Sequence, residues 1–450
     1  MKHLFFLKRT VLILIIMCSN SVWAYDFEKN GIYYDILSET DKTVEVTYGD
    51  NDYIGSVVIK ESVTYDGITY RVTRIGSEAF SCCGSLTSIK IPNSVTDIRR
   101  EAFYGCSSLI SIEIPNSVTG IGSEAFYCCS SLTSIEIPNS VTSIGSDAFG
   151  GCSSLTSIKI PNSVTNIGND AFGGCSSLTS IIIPDSVNEI GESAFMSCTN
   201  LSSVKLSKGL TVIPNSAFAY CINLVDITIS DNIVEIGNAA FCGCKSLENI
   251  TLSKNITAIN GGTFAECYSL KAIDIPDGVT IIYEYAFDYC VYLETVKIGK
   301  GVKTIQKRSF YECHYLKNVY ITAFNNAIML DNITDIGRLE GIYLAPDYFV
   351  ENTLYPFSKE DAQILRDYMF EYAVGLWMQR SDWQYTYDFN AKGLYCAIRQ
   401  IYNNEKRAAN AQYCNINIEN CKIGIDIQAT NAIGCTFTDI NIKGNEKCTY

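Results

Sequence analysis

Few residues in this chain are suited to catalysis. The sequence has 450 residues and only two histidines, His3 and His314. His3 lies in the N-terminal segment that we predict to be cleaved. A serine or cysteine nucleophile that relies on a histidine base would therefore depend on His314, which lies between Cys313 and Tyr315. We interpret His314 as structural or exposed. Carboxylates are plentiful, but no pair stands out, and the glycines do not form a strand-to-helix phosphate loop. The sequence therefore predicts neither an enzyme nor a cofactor. For the C-terminal segment, the question of enzymatic activity stays open.

Cysteine is abundant, with 20 in the chain, but its spacing is regular. Eleven cysteines recur every 23 residues from Cys83 to Cys313. A cysteine at one fixed place in every repeat is expected to be a small, buried apolar filler. Disulfides between neighbouring repeats are the alternative, and an odd number of cysteines pointing one way disfavours complete pairing. Pairs such as Cys82/Cys83 lack the spacing of a closed zinc site, so no metal is expected.

The 23-residue period extends to other columns. A phenylalanine stands three residues before each of these cysteines, a leucine three after, and an isoleucine or valine six after. The phenylalanines are Phe80, Phe103, Phe126, Phe149, Phe172, Phe195, Phe218, Phe241, Phe264, Phe287 and Phe310. Strict repetition at this period indicates a solenoid, in which each unit buries its apolar edge by stacking on its neighbours. We expect the array to span residues 72–346.

Each repeat predicts two extended pieces and a turn. The L-x-x-I-x-I step has the period of a short strand, and the following Pro-Asn-Ser ends it. The V-T-x-I step is a second short extended piece. The A-F-x-x-C-x-x-L stretch has a three-residue spacing that suits a helical or 3₁₀ turn. The fold class expected is therefore a solenoid of short parallel strands with turn-like backs.

The phrase I-P-N-S-V-T-x-I-G-x-x-A-F-x-x-C-x-x-L-T-S-I resembles the BspA-type leucine-rich repeats of bacterial surface proteins. Eleven full copies cover about three fifths of the chain. Residues 25–71 resemble the N-terminal β lead-in of that family, with Asp66–Gly67 as a hairpin turn. The resemblance implies a secreted or cell-surface protein that binds host or matrix proteins, and it brings no catalytic residues.

The N-terminus predicts export. Residues 1–24 combine a basic start, a short apolar core and the Val22–Trp23–Ala24 cleavage site, which is typical of a signal peptide. A lipid anchor on Cys18 is the alternative. Cleavage after Ala24 removes three positive charges and no acid, so the net charge changes from −14 to −17. An acidic surface of this kind disfavours nucleic acid and anionic membranes as partners, and no later segment is expected to span a membrane.

The C-terminal residues predict a change of structure. Ser358 to Asp361 fits a capping box, and Leu365 to Leu376 has helical spacing, as does Leu394 to Tyr402. We therefore expect a helical capping region over residues 347–410. Residues 411–450 alternate with period 2, and Cys414 and Cys435 begin similar phrases 21 residues apart. This segment resembles one to two coils of a pectin-lyase-type β-helix.

Two functions follow as expectations. The first is a binding or adhesion module for a host or matrix protein or another cell surface. The alternative is an accessory or truncated part of a carbohydrate-binding or polysaccharide-acting protein. The early repeats are nearly interchangeable, whereas the late ones gain tyrosines, so we predict a ligand-contacting patch centred on Tyr292 and Tyr315, about 5 Å apart. Its members are Tyr289, Tyr292, Tyr311, Tyr315 and Tyr320, beside Tyr268. Covering the transition to the cap is the other role open to these rings.

Overall fold

The fold is taken from a computed structural model, which describes residues 25–306 and 308–316 in full and, beyond them, the backbone of strands up to Lys443. We number the repeats as coils 1 to 11 by their phenylalanines, from Phe80 to Phe310. The predicted signal peptide, residues 1–24, lies outside the described residues. None of the described residues forms a helix long and apolar enough to cross a membrane.

Two columns of parallel strands run along the array, each in register with the next coil 23 residues on. Ile135 pairs with Ile112 and Ile158, and Ile144 pairs with Ile121 and Ile167. The first column consists of Gly55–Val58, Leu86–Lys90, Ser111–Glu113, Ser134–Glu136, Ser157–Lys159, Ser180–Ile182, Ser203–Lys205, Asp226–Thr228, Asn249–Thr251, Ala272–Ile275, Thr295–Ile298 and Asn318–Ile321. The second consists of Asp97–Ile98, Gly120–Ile121, Ser143–Ile144, Asn166–Ile167, Glu189–Ile190, Val212–Ile213, Glu235–Ile236, Ala258–Ile259, Ile281–Ile282 and Thr304–Ile305. The predicted parallel-strand solenoid is confirmed.

The back of each coil is a series of turns, with no helix or 3₁₀ segment in the described coils. Two residues per coil have positive φ, two before and two after the phenylalanine, as at Asp147 (54°) and Gly151 (70°) in coil 4. This geometry lets the backbone turn twice around the buried ring. The Phe149 N–H then donates to the Ala171 carbonyl of the next coil at 2.8 Å. The backs are therefore hydrogen-bonded from coil to coil, as most of the strands are.

The core consists of columns of identical side chains, each stacked on the same residue type of the next coil. Consecutive phenylalanine rings lie 5.0–5.7 Å apart between centroids and nearly parallel. The periodic cysteines are buried beside them, as predicted. From Cys106 to Cys313, each thiol lies 3.0–3.2 Å from the carbonyl oxygen of the phenylalanine one coil before. The position thus suits a side chain that is small, apolar and a weak donor.

The N-terminal strands close the first end of the array. They are Phe27–Lys29, Ile32–Ser38, Thr43–Thr47, Gly55–Val58, Ser62–Tyr65 and Ile68–Ile75. Tyr65 pairs with Ile68 in an antiparallel ladder, so the hairpin predicted at Asp66–Gly67 is present. The Tyr53 ring lies 4.5 Å from Phe80 and covers the first ring of the phenylalanine stack.

The helical cap predicted for residues 347–410 is wrong where that region is described. The strand Val374–Met378 includes Leu376, the strand Cys396–Gln400 includes Ile398, and these two strands pair in parallel. Each segment also alternates with period 2, and the open edge of the preceding sheet offers backbone partners that favour a strand. Residues 351–373, which hold the predicted capping box, lie outside the described residues.

The described C-terminal backbone consists of strands only. They are Met329–Leu330, Ile333–Thr334, Leu339–Glu340, Tyr343–Leu344, Val374–Met378, Ser381–Asp382, Gln384–Tyr387, Asn390–Lys392, Cys396–Gln400, Ala411–Glu419, Ile423–Ile427 and Cys435–Lys443. Ala411–Glu419 pairs in parallel with Cys435–Lys443, as expected for stacked coils. Ala411 lies opposite Cys435, so the two strands pair at an offset of 24 residues. Cys414 lies opposite Thr438, so the backbone pairing does not align the similar phrases that begin at Cys414 and Cys435.

Candidate functional site

The tyrosines predicted to form a patch lie on the turn backs of coils 9 to 11. Tyr292 and Tyr315 occupy the column that holds serine in the early coils, and each stands one residue before a buried leucine. Their ring centroids are 5.2 Å apart, in agreement with the predicted spacing of about 5 Å, and their planes are tilted by 31°. Tyr292 is 52% exposed and Tyr315 is 47% exposed. The pair therefore presents two adjacent aromatic faces to solvent.

A second tyrosine pair lies beside the first on the same turns. Tyr289 follows Phe287 by two residues and Tyr311 follows Phe310 by one, and their rings meet edge to face at 5.7 Å. The Tyr289 N–H donates to the Tyr311 carbonyl at 2.8 Å, which fixes the two coils against each other. The Arg308 guanidinium lies 5.1 Å from the centroid of the Tyr311 ring, a cation–π distance.

Tyr268 extends the first pair toward coil 8. Its carbonyl accepts a hydrogen bond from the Tyr292 N–H at 3.1 Å, and the Lys245 ammonium lies 5.3 Å from its ring centroid. We call Tyr268, Tyr289, Tyr292, Tyr311 and Tyr315 the late tyrosine patch. Tyr320, the remaining predicted residue, lies instead in the strand Asn318–Ile321, opposite Lys297, and its side chain is outside the described residues.

Asp288, which directly precedes Tyr289, carries a half-buried carboxyl group. The Oδ1 atom of Asp288 is buried and unpaired in the described structure. Burial raises the pKa of Asp288 to about 6; Arg308 opposes this, and Glu266 and Glu312 add to it. The neighbouring His314 has its Nε2 atom 2.8 Å from Glu312 and is 60% exposed, so it contacts a carboxylate rather than the buried Cys313.

One recess of about 440 Å³ opens at coils 5 to 7, outside the patch. It is lined by Glu189, Glu192, Val212 and Pro214 among others. Pro214 stands where most coils have glycine and cannot donate the bond that Gly237 makes to Ile213 at 2.7 Å. The two strands Glu189–Ile190 and Val212–Ile213 are not paired there. The missing N–H thus removes one hydrogen bond between coils 6 and 7 beside the recess, whose lining includes no aromatic ring or cation.

Sequence reasoning missed a third aromatic pair, on coils 2 and 3. Tyr104 and Tyr127 directly follow the buried phenylalanines, and their rings stack at 5.2 Å with planes 18° apart. We call them the early tyrosine pair. The signal was the "AFY" step in two consecutive repeats, which the overall similarity of the early coils obscured.

Comparisons with known proteins identify relatives by repeat and by fold. The family model described as "BspA type Leucine rich repeat region (6 copies)" matches residues 73–202, 119–234 and 211–333. The chain is 31% identical to a leucine rich cell surface protein from Faecalibacterium prausnitzii, over 67% of this chain and 96% of that one, with a TM-score of 0.44. It is 23% identical to a leucine-rich repeat protein from Bacteroides ovatus, over 93% and 91% of the two chains, with a TM-score of 0.55. None of the curated proteins matches the chain.

Proposed function

The chain belongs to the BspA-type leucine-rich repeat family, and on that premise we propose that it is an exported, surface-displayed protein that binds another protein through the late tyrosine patch. The contact between Tyr292 and Tyr315 carries this proposal. Two half-exposed rings held 5.2 Å apart by a rigid array offer apolar area and phenolic hydroxyls at little entropic cost. Tyrosine is enriched among the residues that dominate binding energy at protein interfaces.

The frame around the patch supports a pre-organised surface. Phe287 and Phe310 are buried and stacked 5.0 Å apart directly beneath it, and Cys290 and Cys313 bond to the coil before. Rings mounted on such a core need little reordering when a partner binds, so more of the contact energy appears as affinity.

An extracellular location is supported by the relatives and by the sequence. The relative from Faecalibacterium prausnitzii is described as a cell surface protein. Residues 1–24 of this chain have the pattern of a signal peptide. A partner in this setting is a protein of a host, a matrix or another cell surface.

A binding role without catalysis is supported by the surroundings of the patch. His314 contacts Glu312, and the burial of Cys313 holds the pKa of its thiol far above the usual range. A thiol in that state is a poor nucleophile.

The test is a pull-down of host-surface proteins with the mature chain, followed by an affinity measurement for each captured protein. The Tyr292→Ser, Tyr315→Ser double variant restores the serine of the early coils, so we expect it to fold normally. Loss of two such anchors is expected to weaken binding by at least about 100-fold. Tyr220→Ser is the matched control, since Tyr220 is 39% exposed on coil 7 and Ser197 occupies the same position one coil before. Unchanged affinity in the double variant, or equal loss in the control, would contradict a site on the late tyrosine patch.

A second candidate function is glycan binding by residues 347–450. The parallel pairing of Ala411–Glu419 with Cys435–Lys443 favours it, because stacked parallel coils are the pattern of the β-helices that the segment resembles. In a glycan array with the full mature chain, binding that survives the double variant would assign the activity to this segment.

A further inference from the structure

The strand Gly55–Val58 is the first strand of the first strand column. It pairs in parallel with Leu86–Lys90, and no other described strand is hydrogen-bonded to it. Its sequence, GSVV, contains none of the charged residues or prolines with which proteins protect an exposed sheet edge. This edge of the sheet is therefore open to a further strand.

The backbone groups at the open edge belong to alternate residues of this strand. The N–H groups of Gly55 and Ile59 donate to carbonyls of coil 1, at 2.9 and 3.0 Å. Since successive residues of a strand direct their backbone groups to opposite sides, those of Ser56 and Val58 face the open edge. A strand that adds to this edge would supply hydrogen-bond partners for them.

The outward face of this strand is apolar where the following coils are charged. Val58 is 57% exposed, and the same column continues with Lys90, Glu113 and Glu136. Ile54, directly before the strand, is 69% exposed, more than any other large apolar side chain among the described residues. Exposed β-branched side chains at a free edge favour association with another strand.

Opposite charges flank the edge on its two sides. Asp52 precedes the strand and Lys60 follows it, both are exposed, and neither forms an ion pair with another described side chain. Asp52 and Lys60 each lie four residues from Ser56, and the exposed Ile54 and Val58 each lie two residues from it. The segment is thus complementary to a second copy of itself that runs in the opposite direction.

We propose that this edge binds the same edge of a second copy of the chain, as an antiparallel pair centred on Ser56. Ser56 lies opposite Ser56 of the second copy. Ile54 then lies opposite Val58 of the second copy, and such apolar cross-strand pairs stabilise a sheet. Asp52 lies opposite Lys60 of the second copy, so opposite charges meet. Each contact occurs twice, as the two-fold symmetry of a homodimer requires.

The pattern of side chains selects this register over its neighbours. A shift of two residues in one direction places Ile54 opposite Ser56 of the second copy, and a shift in the other direction places it opposite Lys60. A shift of one residue places backbone groups that face the edge opposite groups that face away from it. Only the pairing centred on Ser56 matches both the apolar residues and the charges.

The dimer does not depend on the late tyrosine patch. The two copies share one continuous sheet, and their arrays extend in opposite directions from the shared edge. Ten coils at a strand spacing of about 5 Å place each late tyrosine patch about 50 Å from that edge. A dimer therefore presents two patches to a surface that carries many copies of a partner.

The test is sedimentation velocity of the mature chain from about 1 to about 200 µM, because an edge this short predicts a dimer with a micromolar dissociation constant. Salt at about 0.15 M screens the net negative charge of the two copies. Ser56→Pro removes an N–H that faces the open edge and no hydrogen bond to coil 1, so we expect it to fold and to dimerise at least about tenfold more weakly. Val58→Lys puts a charge on the edge, keeps every backbone group and is expected to weaken the dimer equally.

An exchange of charges tests the register directly. Asp52→Lys and Lys60→Asp each bring two pairs of like charges into the symmetric interface, so each variant alone is expected to dimerise at least about tenfold more weakly. In an equimolar mixture of the two variants, the lysines of one chain face the aspartates of the other. We expect the mixture to dimerise within about threefold of the natural chain.

Two control variants separate this edge from general charge and from the late tyrosine patch. Asp226→Lys makes the same charge change as Asp52→Lys at an exposed strand position of coil 7, and the Tyr292→Ser, Tyr315→Ser variant removes the other surface. Both are expected to dimerise as the natural chain does. The proposal is overturned by a natural chain that stays monomeric over the whole range, by an equal loss in Asp226→Lys, or by a mixture that does not recover. A monomeric chain that binds an extended peptide, and loses it in Ser56→Pro, would assign the edge to a strand of another protein instead.

Discussion

The adjacent residues Cys82 and Cys83 allow a direct test of the cysteine ladder inside one molecule. Cys82 is exposed, whereas Cys83 is 3% exposed and begins the column of buried thiols. Deeper in the array, burial raises the pKa of Cys175 from its ordinary 9.0 to about 12. At pH 8 this lowers the thiolate fraction from about a tenth to about one in ten thousand, so thiolate population alone slows alkylation about 1,000-fold.

The assay is sequential labelling with three isotopic forms of iodoacetamide, read by mass spectrometry at each cysteine. The first form is applied to the native chain at pH 8, the second after unfolding without reductant, and the third after reduction. We expect Cys82 to carry the first label and the periodic cysteines from Cys83 to Cys313 to carry the second. Periodic cysteines that take the third label would be disulfide-bonded, and those that take the first would not be buried. Either result would refute the assignment of this column as buried, unpaired filler.

Further predictions concern stability. Leu178→Ala removes a fully buried side chain between two coils and is expected to lower the free energy of unfolding by about 2 to 5 kcal/mol in denaturant. As a control, Lys159→Ala at an exposed strand position should change it by less than about 0.5 kcal/mol. A loss well under about 1 kcal/mol in Leu178→Ala would mean that the leucine column is not buried as described. Because burial raises the pKa of Cys175, its contribution to stability is fully present below about pH 9 and is lost as pH rises toward 12, by about 1.4 kcal/mol per pH unit. The free energy of unfolding, measured by circular dichroism, should therefore fall steeply with pH in alkali. The fall should be shallower in Cys175→Ala. Asp288 also has a raised pKa, so its favourable term is present below about pH 4 and is lost as pH rises to about 6. We expect Asp288→Asn to be more stable than the natural chain at pH 7 and to lack this dependence, and equal melting temperatures at pH 7 would argue against a strained carboxylate.

The repeat array could be predicted because one constraint acts on every coil. Phe172, Cys175 and Leu178 must each meet the same residue type one coil away, so their 23-residue spacing fixes both burial and strand register. The tyrosine pair Tyr292 and Tyr315 was predictable for the same reason, since residues in one column become neighbours in space.

The C-terminal strands were not predictable from local pattern, which favoured helices. Leu376 and Ile398 fit a helical spacing and also a two-residue alternation, and the open edge of the preceding sheet favours the strand. The early tyrosine pair was missed for a different reason. Its geometry depends on Gly150, whose missing Cβ makes room for Tyr127, and a glycine has no side chain that would mark the site in the sequence.

The most direct test of a binding role for the late tyrosine patch is hydroxyl-radical footprinting of the mature chain with and without a captured partner protein. Oxidation of Tyr292 and Tyr315 reports solvent access to the two rings that are 52% and 47% exposed in the free chain. We expect both to be protected at least about fivefold on binding, while Tyr220 on coil 7 is unchanged. Protection confined to residues 347–450 or to the early coils, with Tyr292 and Tyr315 oxidised as in the free chain, would contradict the assignment.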